Sequence, residues 1–198
     1  VTENVVSMDV SGDVKKVVTD KNTYETRTII IATGAVHRKA GIPGEAEFTG
    51  KGVSYCATCD GAFFKNKVAA VVGGGDVAVE DAIYLARMCS KVYLIHRRDE
   101  FRAAKSIVNK ARNTKNIELI LDSIVEKIEG GAKVSSIQIK NKKTGEVIEK
   151  PVDGVFFAVG MQPVTSFVDD SIKMDEAGYI VAGEDCRTNI DGVYAAGD

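Results

Sequence analysis

The stretch Val68-Ala-Ala-Val-Val-Gly-Gly-Gly-Asp-Val-Ala-Val-Glu80 decides the fold of the central part of this 198-residue chain. Five consecutive apolar residues, 68–72, predict a strand that is buried on both faces. The three glycines after them predict a tight turn, and Asp76 to Cys89 has the apolar spacing of a helix. A buried strand that passes through a glycine turn into a helix indicates an α/β fold with a parallel sheet.

The same alternation of strands and helices continues beyond this stretch. Residues 92–95 predict a second buried strand, and Asp99 is placed to cap a helix over residues 100–112. From 117 to 149 the pattern changes to short strands with hairpin turns, which predicts a β meander. Residues 155–159 then have the pattern of another buried strand. We therefore expect a doubly wound, Rossmann-like α/β domain with a β meander.

The two ends of the chain do not have the pattern of a complete domain. Residues 5–34 contain hairpin-like strands and one apolar strand, and residues 193–198 have the sequence Val-Tyr-Ala-Ala-Gly-Asp. Both ends look like pieces of a second domain. We predict that residues 39–161 form the central domain, and that residues 1–38 and 162–198 are partial segments of the other.

Composition and charge exclude several classes of function. The formal net charge is -2, and most lysines and arginines are spread along the chain, so nucleic acid is not an expected partner. No apolar run approaches the roughly 18 residues that span a bilayer, which predicts no membrane partner and a cytoplasmic location. Four cysteines are too few for the disulfide scaffold of a small secreted protein.

The glycine turn has the pattern Gly73-x-Gly75-x-x-Ala78 between a predicted strand and a predicted helix. In that context the pattern indicates a binding site for the pyrophosphate of a dinucleotide. The two glycines permit a tight turn and a close backbone approach, and the alanine permits the helix to pack on the sheet. The helix N-terminus would face the negative phosphates. The alternative is a glycine turn without a ligand.

The residues after the second buried strand indicate which dinucleotide is bound. An acidic residue at that position would accept hydrogen bonds from the ribose hydroxyls of NAD. The chain has His96-Arg97-Arg98 there instead, followed by Arg102. Guanidinium groups match a phosphate with paired hydrogen bonds, so this cluster predicts NADPH and its 2'-phosphate. The alternative is a solvated basic patch, which would place cations where a helix dipole disfavours them.

Cys56 and Cys59 form a C-x-x-C motif, which places two sulfurs within disulfide reach. Asp60 follows directly and is placed to protonate a leaving thiolate during thiol–disulfide exchange. A zinc site is the alternative, but the chain has only two histidines for the remaining ligands, so we expect no metal. We interpret Cys89 and Cys186 as small buried hydrophobic residues. Because a hydride donor does not suit a disulfide directly, a flavin is the expected mediator.

Together these motifs resemble those of the low-molecular-weight thioredoxin reductases, a class of pyridine nucleotide-disulfide oxidoreductases. They have that family's order and approximate spacing, and the resemblance extends over the whole chain. The segments that carry it are Cys56-Ala-Thr-Cys-Asp-Gly61, Gly73-Gly-Gly75 with Ala78-Val-Glu80, His96-Arg-Arg-Asp99 with Phe101-Arg102, Ala158-Val-Gly160 and Tyr194-Ala-Ala-Gly-Asp198.

The resemblance implies an NADPH domain inserted into an FAD domain. In the family, NADPH reduces FAD, FAD reduces the disulfide, and the dithiol reduces thioredoxin. The resemblance implies that Cys56 attacks the thioredoxin disulfide, Cys59 faces the flavin and Asp60 donates a proton. A homodimer is the usual assembly of the family. The predicted cofactor-binding residues are Gly73, Gly74, Gly75, Asp76, Val77, Ala78, Glu80, His96, Arg97, Arg98, Arg102 and Gly160, with Gly34, Gly197 and Asp198 in the FAD part.

The chain departs from the family pattern at both ends. Members of the family open with a strand and a G-x-G-x-x-G turn for the FAD pyrophosphate, which would precede Val1. They also continue beyond the position of Asp198. We therefore interpret the chain as a fragment. We expect the isolated chain to retain no FAD and to be inactive, whereas the parent protein would be an NADPH-dependent reductase.

Two alternatives stay open at this point. The flavoprotein subunit of alkyl hydroperoxide reductase shares the cysteine pair and the glycine turn but typically uses NADH, which the arginine cluster disfavours. The second alternative is that the chain is a nucleotide-binding fragment without turnover. A visible flavin spectrum separates a reductase from such a fragment.

Overall fold

The computed structural model describes all 198 residues, which divide into two compact units: residues 1–37 with 161–198, and residues 38–160. None of its helices has the length and apolar composition that crossing a membrane requires. The elements in chain order are β1 (Val5–Asp9), β2 (Lys15–Thr19), β3 (Thr23–Thr26), β4 (Ile29–Ile31), β5 (Ala35–His37), β6 (Val53–Ser54), α1 (Ala57–Asp60), β7 (Val68–Gly73), α2 (Asp76–Ala86), β8 (Lys91–Ile95), α3 (Lys105–Arg112), β9 (Ile117–Ile120), β10 (Ser123–Gly130), β11 (Val134–Asn141), β12 (Val147–Pro151), β13 (Gly154–Ala158), β14 (Met161–Pro163) and β15 (Val193–Ala195).

The unit of residues 38–160 is built on a parallel sheet of five strands in the order β6-β13-β7-β8-β9. Successive residues of β7 contribute to two different cores, because side chains alternate between the faces of a sheet. Ala69 and Val71 pack with α2 and α3, whereas Ala70 packs with the antiparallel sheet β10-β11-β12. This confirms the predicted Rossmann-like α/β fold with a β meander, and it explains why residues 68–72 are uniformly apolar.

Three sequence predictions for this unit need correction. Helix α2 ends at Ala86 and not at Cys89, because the N–H groups of Arg87 and Met88 bond to carbonyls three residues back, as in a turn. Helix α3 begins at Lys105, not at Glu100, because residues 96–104 form a loop that donates backbone hydrogen bonds to the glycine turn and to the first residue of α2. We call residues 96–104 the arginine loop. Residues 117–120, which were expected in the meander, form β9 and pair with β8 in the parallel sheet.

The unit of residues 1–37 and 161–198 contains the hairpin-like strands expected near the start of the chain. Strands β1, β2 and β3 form an antiparallel sheet, β4 pairs with β15 in parallel, and β5 pairs with β14 in antiparallel. Residues 178–181 contribute a single bridge, between Met174 and Ile180. The small core of this unit consists of Met8, Val10, Ile31, Val168, Ile172 and Val193.

Candidate active site

The two cysteines of the C-x-x-C motif, which we call the redox pair, form a disulfide with their Cα atoms 5.3 Å apart. Strand β6 leads to Cys56, which is the N-cap of α1 and is half-buried, whereas Cys59 is exposed. The backbone N–H of Cys59 donates to Cys56 Sγ over 3.2 Å. Such a bond would stabilise a thiolate on Cys56 after reduction, and the role of Cys56 as the nucleophile stays a prediction. No group of three or more His, Cys, Asp or Glu side chains is arranged to hold a metal ion.

Ser54 connects Asp60 to the redox pair. Its hydroxyl donates to Asp60 Oδ2 over 2.6 Å and accepts from the backbone N–H of Cys56 over 3.1 Å. Ser54 is only 5% exposed. The sequence motifs do not indicate this residue, because no catalytic motif includes it. The one available signal was a serine next to Val53, two residues before the C-x-x-C motif.

The redox pair and the glycine turn lie at the same edge of the parallel sheet. Strand β6 ends at Ser54, two residues before Cys56, and β7 ends at Gly73. Strand β13 lies between them and ends at Ala158, shortly before Gly160. Because these strands are parallel, their carboxyl ends share one edge, and α/β sheets bind ligands beyond that edge.

Each glycine of the turn has different surroundings. A Cβ atom on Gly73 would lie 2.4 Å from the Ala158 carbonyl oxygen, so this glycine permits close packing within the unit. A Cβ atom on Gly74 would lie 2.0 Å from the ring of His96. A Cβ atom on Gly75 would meet nothing within 4 Å, and Gly75 caps α2 without a side-chain hydrogen bond. The backbone amides at the start of α2 are therefore open to a phosphate, which fits a dinucleotide.

Backbone hydrogen bonds fasten the arginine loop beside this turn. The N–H of Arg102 donates to the Gly74 carbonyl over 2.8 Å, and the N–H of Ala104 donates to Asp76 Oδ1 over 2.8 Å. All three arginine side chains of the loop are exposed. Exposed guanidinium groups held next to an open phosphate site fit a dinucleotide with an additional phosphate.

His96 differs from the arginines that follow it. The ring is 6% exposed and stacks on Phe101 with the ring centroids 5.2 Å apart. Burial lowers the pKa of the imidazole, and the charges of the nearby arginines lower it further. Its Nε2 atom is buried without a hydrogen-bond partner. His96 is therefore a neutral ring rather than a fourth cation, and its contact with a nucleotide stays a prediction.

Three other predicted cofactor contacts also belong to this unit. Val77 and Glu80 are exposed on α2, and the backbone of Gly160 has a φ of +102°. That φ lies in the region that favours glycine. Their contact with a nucleotide stays a prediction.

The three predicted FAD contacts line one open cavity of about 410 Å³ in the unit of residues 1–37 and 161–198. Gly34 follows β4, whereas Gly197 and Asp198 follow β15, so the parallel pairing of these strands brings the three residues together. Gly34 and Gly197 have φ values of +62° and +102°, which only glycine adopts readily. A glycine in each of the two turns permits a close approach of the backbone to part of a nucleotide, and the contact of these residues with FAD stays a prediction.

The expectation for the remaining two cysteines is correct for Cys89 and wrong for Cys186. Cys89 is 5% exposed, and burial raises the pKa of its thiol to about 11. Cys186 is exposed and lines the cavity of the other unit. It lies in a turn with a φ of +61°, where its carbonyl accepts from the N–H of Ala195 over 2.9 Å. The turn keeps Cys186 at the surface, which composition alone does not reveal.

Comparison with known proteins gives a family and several relatives. The family profile described as pyridine nucleotide-disulphide oxidoreductase matches residues 1–198. A thioredoxin reductase from Treponema pallidum is 45% identical over 196 residues, which cover 99% of this chain and 64% of that protein. One from Listeria innocua is 48% identical over 198 residues, covering 94% of this chain and 62% of that protein.

The solved structures that this chain resembles are also thioredoxin reductases. The thioredoxin reductase of Lactococcus lactis in its FR conformation is similar with a TM-score of 0.83 and 48% identity, over 99% of this chain and 65% of that one. The enzyme of T. acidophilum is similar with a TM-score of 0.80 and 38% identity, over 99% and 65% respectively. The chain therefore spans about 65% of the length of these relatives.

Proposed function

Because the chain belongs to the pyridine nucleotide-disulphide oxidoreductase family, we propose that it is the NADPH-binding and disulfide-bearing portion of a thioredoxin reductase. The position of the redox pair carries this proposal, since the pair and the glycine turn share one edge of a parallel sheet. A disulfide with only a structural role would gain nothing from that position. The similarity to named thioredoxin reductases supports the choice of reaction.

We assign the nucleotides by the chemistry of the two units. Residues 39–161 form the NADPH domain, with the amides after Gly75 on the pyrophosphate and the exposed arginines on the 2'-phosphate. Residues 1–38 and 162–198 belong to the FAD domain, where Gly34 and Asp198 contact the flavin nucleotide. The parent protein acts in the cytoplasm as a homodimer, and its partner is thioredoxin or a similar protein.

Cys56, Cys59 and Asp60 have different roles in the proposed disulfide exchange. A bound flavin supplies the step between a hydride donor and a disulfide. Cys56, as the thiolate that the Cys59 N–H favours, attacks the disulfide of thioredoxin. Asp60 gives a proton to the leaving thiolate. Cys59 then attacks Cys56 Sγ, which restores the disulfide and releases reduced thioredoxin.

A single-turnover experiment tests this function without a flavin. The chain is reduced chemically, freed of reductant and mixed with oxidised thioredoxin, and the thiols of both proteins are then counted by alkylation and mass spectrometry. We expect one thioredoxin disulfide to be reduced for each redox pair that is oxidised. A Cys56→Ser variant should transfer nothing, whereas the matched Cys89→Ser variant should transfer normally.

The outcomes separate the parts of the proposal. Transfer from the Cys56→Ser variant would show that the redox pair is not the donor. Transfer to small disulfides but not to thioredoxin would show that the partner is wrong. Calorimetric titration with NADPH and NADH tests the nucleotide independently, and equal affinities would contradict the role of the arginine loop.

A further inference from the structure

Ser54 is a buried hydroxyl at the carboxyl end of the two-residue strand β6. It follows Val53 in β6, where pairing with β13 places it opposite Phe156, and both of these neighbours are buried. A hydroxyl buried in such surroundings is unfavourable unless its hydrogen bonds are satisfied. The hydroxyl of Ser54 forms its hydrogen bonds with Cys56 of the redox pair and with Asp60, which follows the pair. Its partners therefore belong to the reaction site and not to the core.

The three distances around the Ser54 oxygen determine where its single proton goes. The Asp60 carboxylate lies at 2.6 Å, whereas the carbonyl of Cys56, the other acceptor, lies at 3.4 Å. The shorter contact is the stronger hydrogen bond, so the hydroxyl donates to Asp60. The N–H of Cys56 donates to the same oxygen over 3.1 Å and fixes its orientation.

This arrangement binds only one oxygen of the Asp60 carboxylate. Ser54 takes Oδ2, and Oδ1 accepts no hydrogen bond from the protein. The carboxylate is therefore held at one end and left able to exchange a proton at the other. Because the same hydroxyl is bonded to the backbone of Cys56, it ties the position of the acid to the position of the nucleophile.

We propose that Ser54 is a positioning residue for proton transfer at the redox pair, holding the Asp60 carboxyl group in place through both of its protonation states. The proposal rests on the thiol–disulfide exchange proposed above. Ser54 does not touch the reacting sulfurs of a substrate. Its effect passes through Asp60 and through the backbone of Cys56.

The exchange moves two protons through Asp60. The Cys56 thiol gives its proton to solvent, and the thiolate attacks one sulfur of the substrate disulfide. The substrate S–S bond breaks as the mixed disulfide forms, and the leaving thiolate takes a proton from the Asp60 carboxyl group, which regains one from solvent. The Cys59 thiol then gives its proton to solvent, its thiolate attacks Cys56 Sγ, and the second leaving thiolate takes the proton from Asp60. Two protein thiols are oxidised, and one disulfide is reduced to two thiols.

Two small disulfides distinguish proton delivery from a general structural role. Bis(2-hydroxyethyl) disulfide releases a basic alkyl thiolate that needs a proton, whereas bis(3-carboxy-4-nitrophenyl) disulfide releases an aromatic thiolate that is stable without one at neutral pH. The chemically reduced chain is mixed with each probe, and the rate of oxidation of the redox pair is measured. In Ser54→Ala we expect the rate with the alkyl disulfide to fall about tenfold to a hundredfold, the equivalent of one charged hydrogen bond. The rate with the aromatic disulfide should stay within about twofold of wild type, since its leaving group needs no acid.

The matched pair Ser54→Thr and Ser54→Val provides the control. The two side chains have nearly the same shape and differ in the hydroxyl, so Thr should restore the rate with the alkyl disulfide and Val should not. The pair also replaces Ser54→Ala if that variant does not fold. In an Asp60→Ala background, the change from Ser54 to Ala should have no further effect on either probe.

Several results would overturn the inference. Equal slowing with both disulfides would mean that Ser54 only orders the segment around Cys56. Equal rates for the Thr and Val variants would mean that the hydroxyl has no role, and an additive effect in the Asp60→Ala background would mean that Ser54 does not act through Asp60. If the wild-type chain reacts with neither probe, the proposed function itself fails, which is a different outcome.

Discussion

Replacing Gly75 by alanine separates nucleotide binding from the stability of the fold. A Cβ atom at this position meets no protein atom within 4 Å, and the φ of -92° and ψ of -178° are open to alanine. We therefore expect the free energy of unfolding to change by no more than about 1 kcal/mol, because alanine restricts the unfolded chain more than glycine does but is a poorer N-cap for α2, and the two effects oppose each other.

The same methyl group would stand in the space that a pyrophosphate must approach. Each amide-to-phosphate hydrogen bond is worth about 1.5 to 3 kcal/mol, so the loss of one bond should weaken NADPH binding by about 10-fold to 150-fold. Calorimetric titration with NADPH measures this change. Thermal unfolding of the same sample without nucleotide measures the stability.

The variant Gly73→Ala is the matched control. Its Cβ atom would lie 2.4 Å from the carbonyl oxygen of Ala158, and overpacking of this kind costs about 1 to 3 kcal/mol. In a protein of this size the midpoint of unfolding should fall by roughly 2 to 12 °C. If Gly75→Ala binds NADPH as tightly as wild type, the pyrophosphate does not bind at this turn. If the midpoint of unfolding of Gly75→Ala is as low as that of Gly73→Ala, the space beside Gly75 is not open.

Three further perturbations have defined outcomes. In the double variant Arg97→Ala, Arg98→Ala, calorimetry should show NADPH affinity reduced about 100-fold or more with NADH affinity unchanged; an unaltered preference would contradict the 2'-phosphate assignment. Alkylation with mass mapping near pH 8 should label the exposed Cys186 quickly and Cys89 hardly at all, since burial raises the pKa of Cys89 to about 11. Burial by itself would raise the pKa of the Glu45 carboxyl, but hydrogen bonds from a tyrosine hydroxyl and three backbone amides outweigh it and lower the pKa overall. Ionised Glu45 therefore contributes stability at neutral pH that is lost as the pH falls below about 4, and chemical denaturation of Glu45→Gln should show a weaker loss over that range; an identical acid profile would refute the assignment.

The central domain could be predicted because its signals are local. The apolar run 68–72, the glycines after it and the spacing of the following helix all lie within one β-α segment, which the structure reproduces as β7 and α2. The start of α3 could not be predicted in this way. The pattern after Asp99 favours a helix, but the N–H of Arg102 bonds to Gly74, far away in sequence, and this tertiary contact outweighs a weak local preference.

The sequence indicated those candidate-site residues that belong to a known motif. It did not indicate residues whose importance depends only on their position in the fold. The pairing of Cys56 with Cys59 follows from their spacing. The proposed role of Ser54 depends on the short helix α1, which places Asp60 within hydrogen-bond distance of the hydroxyl six residues before it. The exposure of Cys186 likewise depends on a turn that its residue type does not indicate.

The attachment of the arginine loop also affects the entropy of ligand binding. Ordering a free backbone costs about 1 to 2 kcal/mol of conformational entropy per residue. If residues 96–104 were mobile, this cost would offset much of the favourable free energy of binding a phosphate. Here the bonds from Arg102 and Ala104 order the loop through contacts within the protein itself. Only the exposed arginine side chains remain to be immobilised, at up to about 2 kcal/mol each. In the proposed NADPH site, most of the attraction between the guanidinium groups and a phosphate would therefore contribute to affinity.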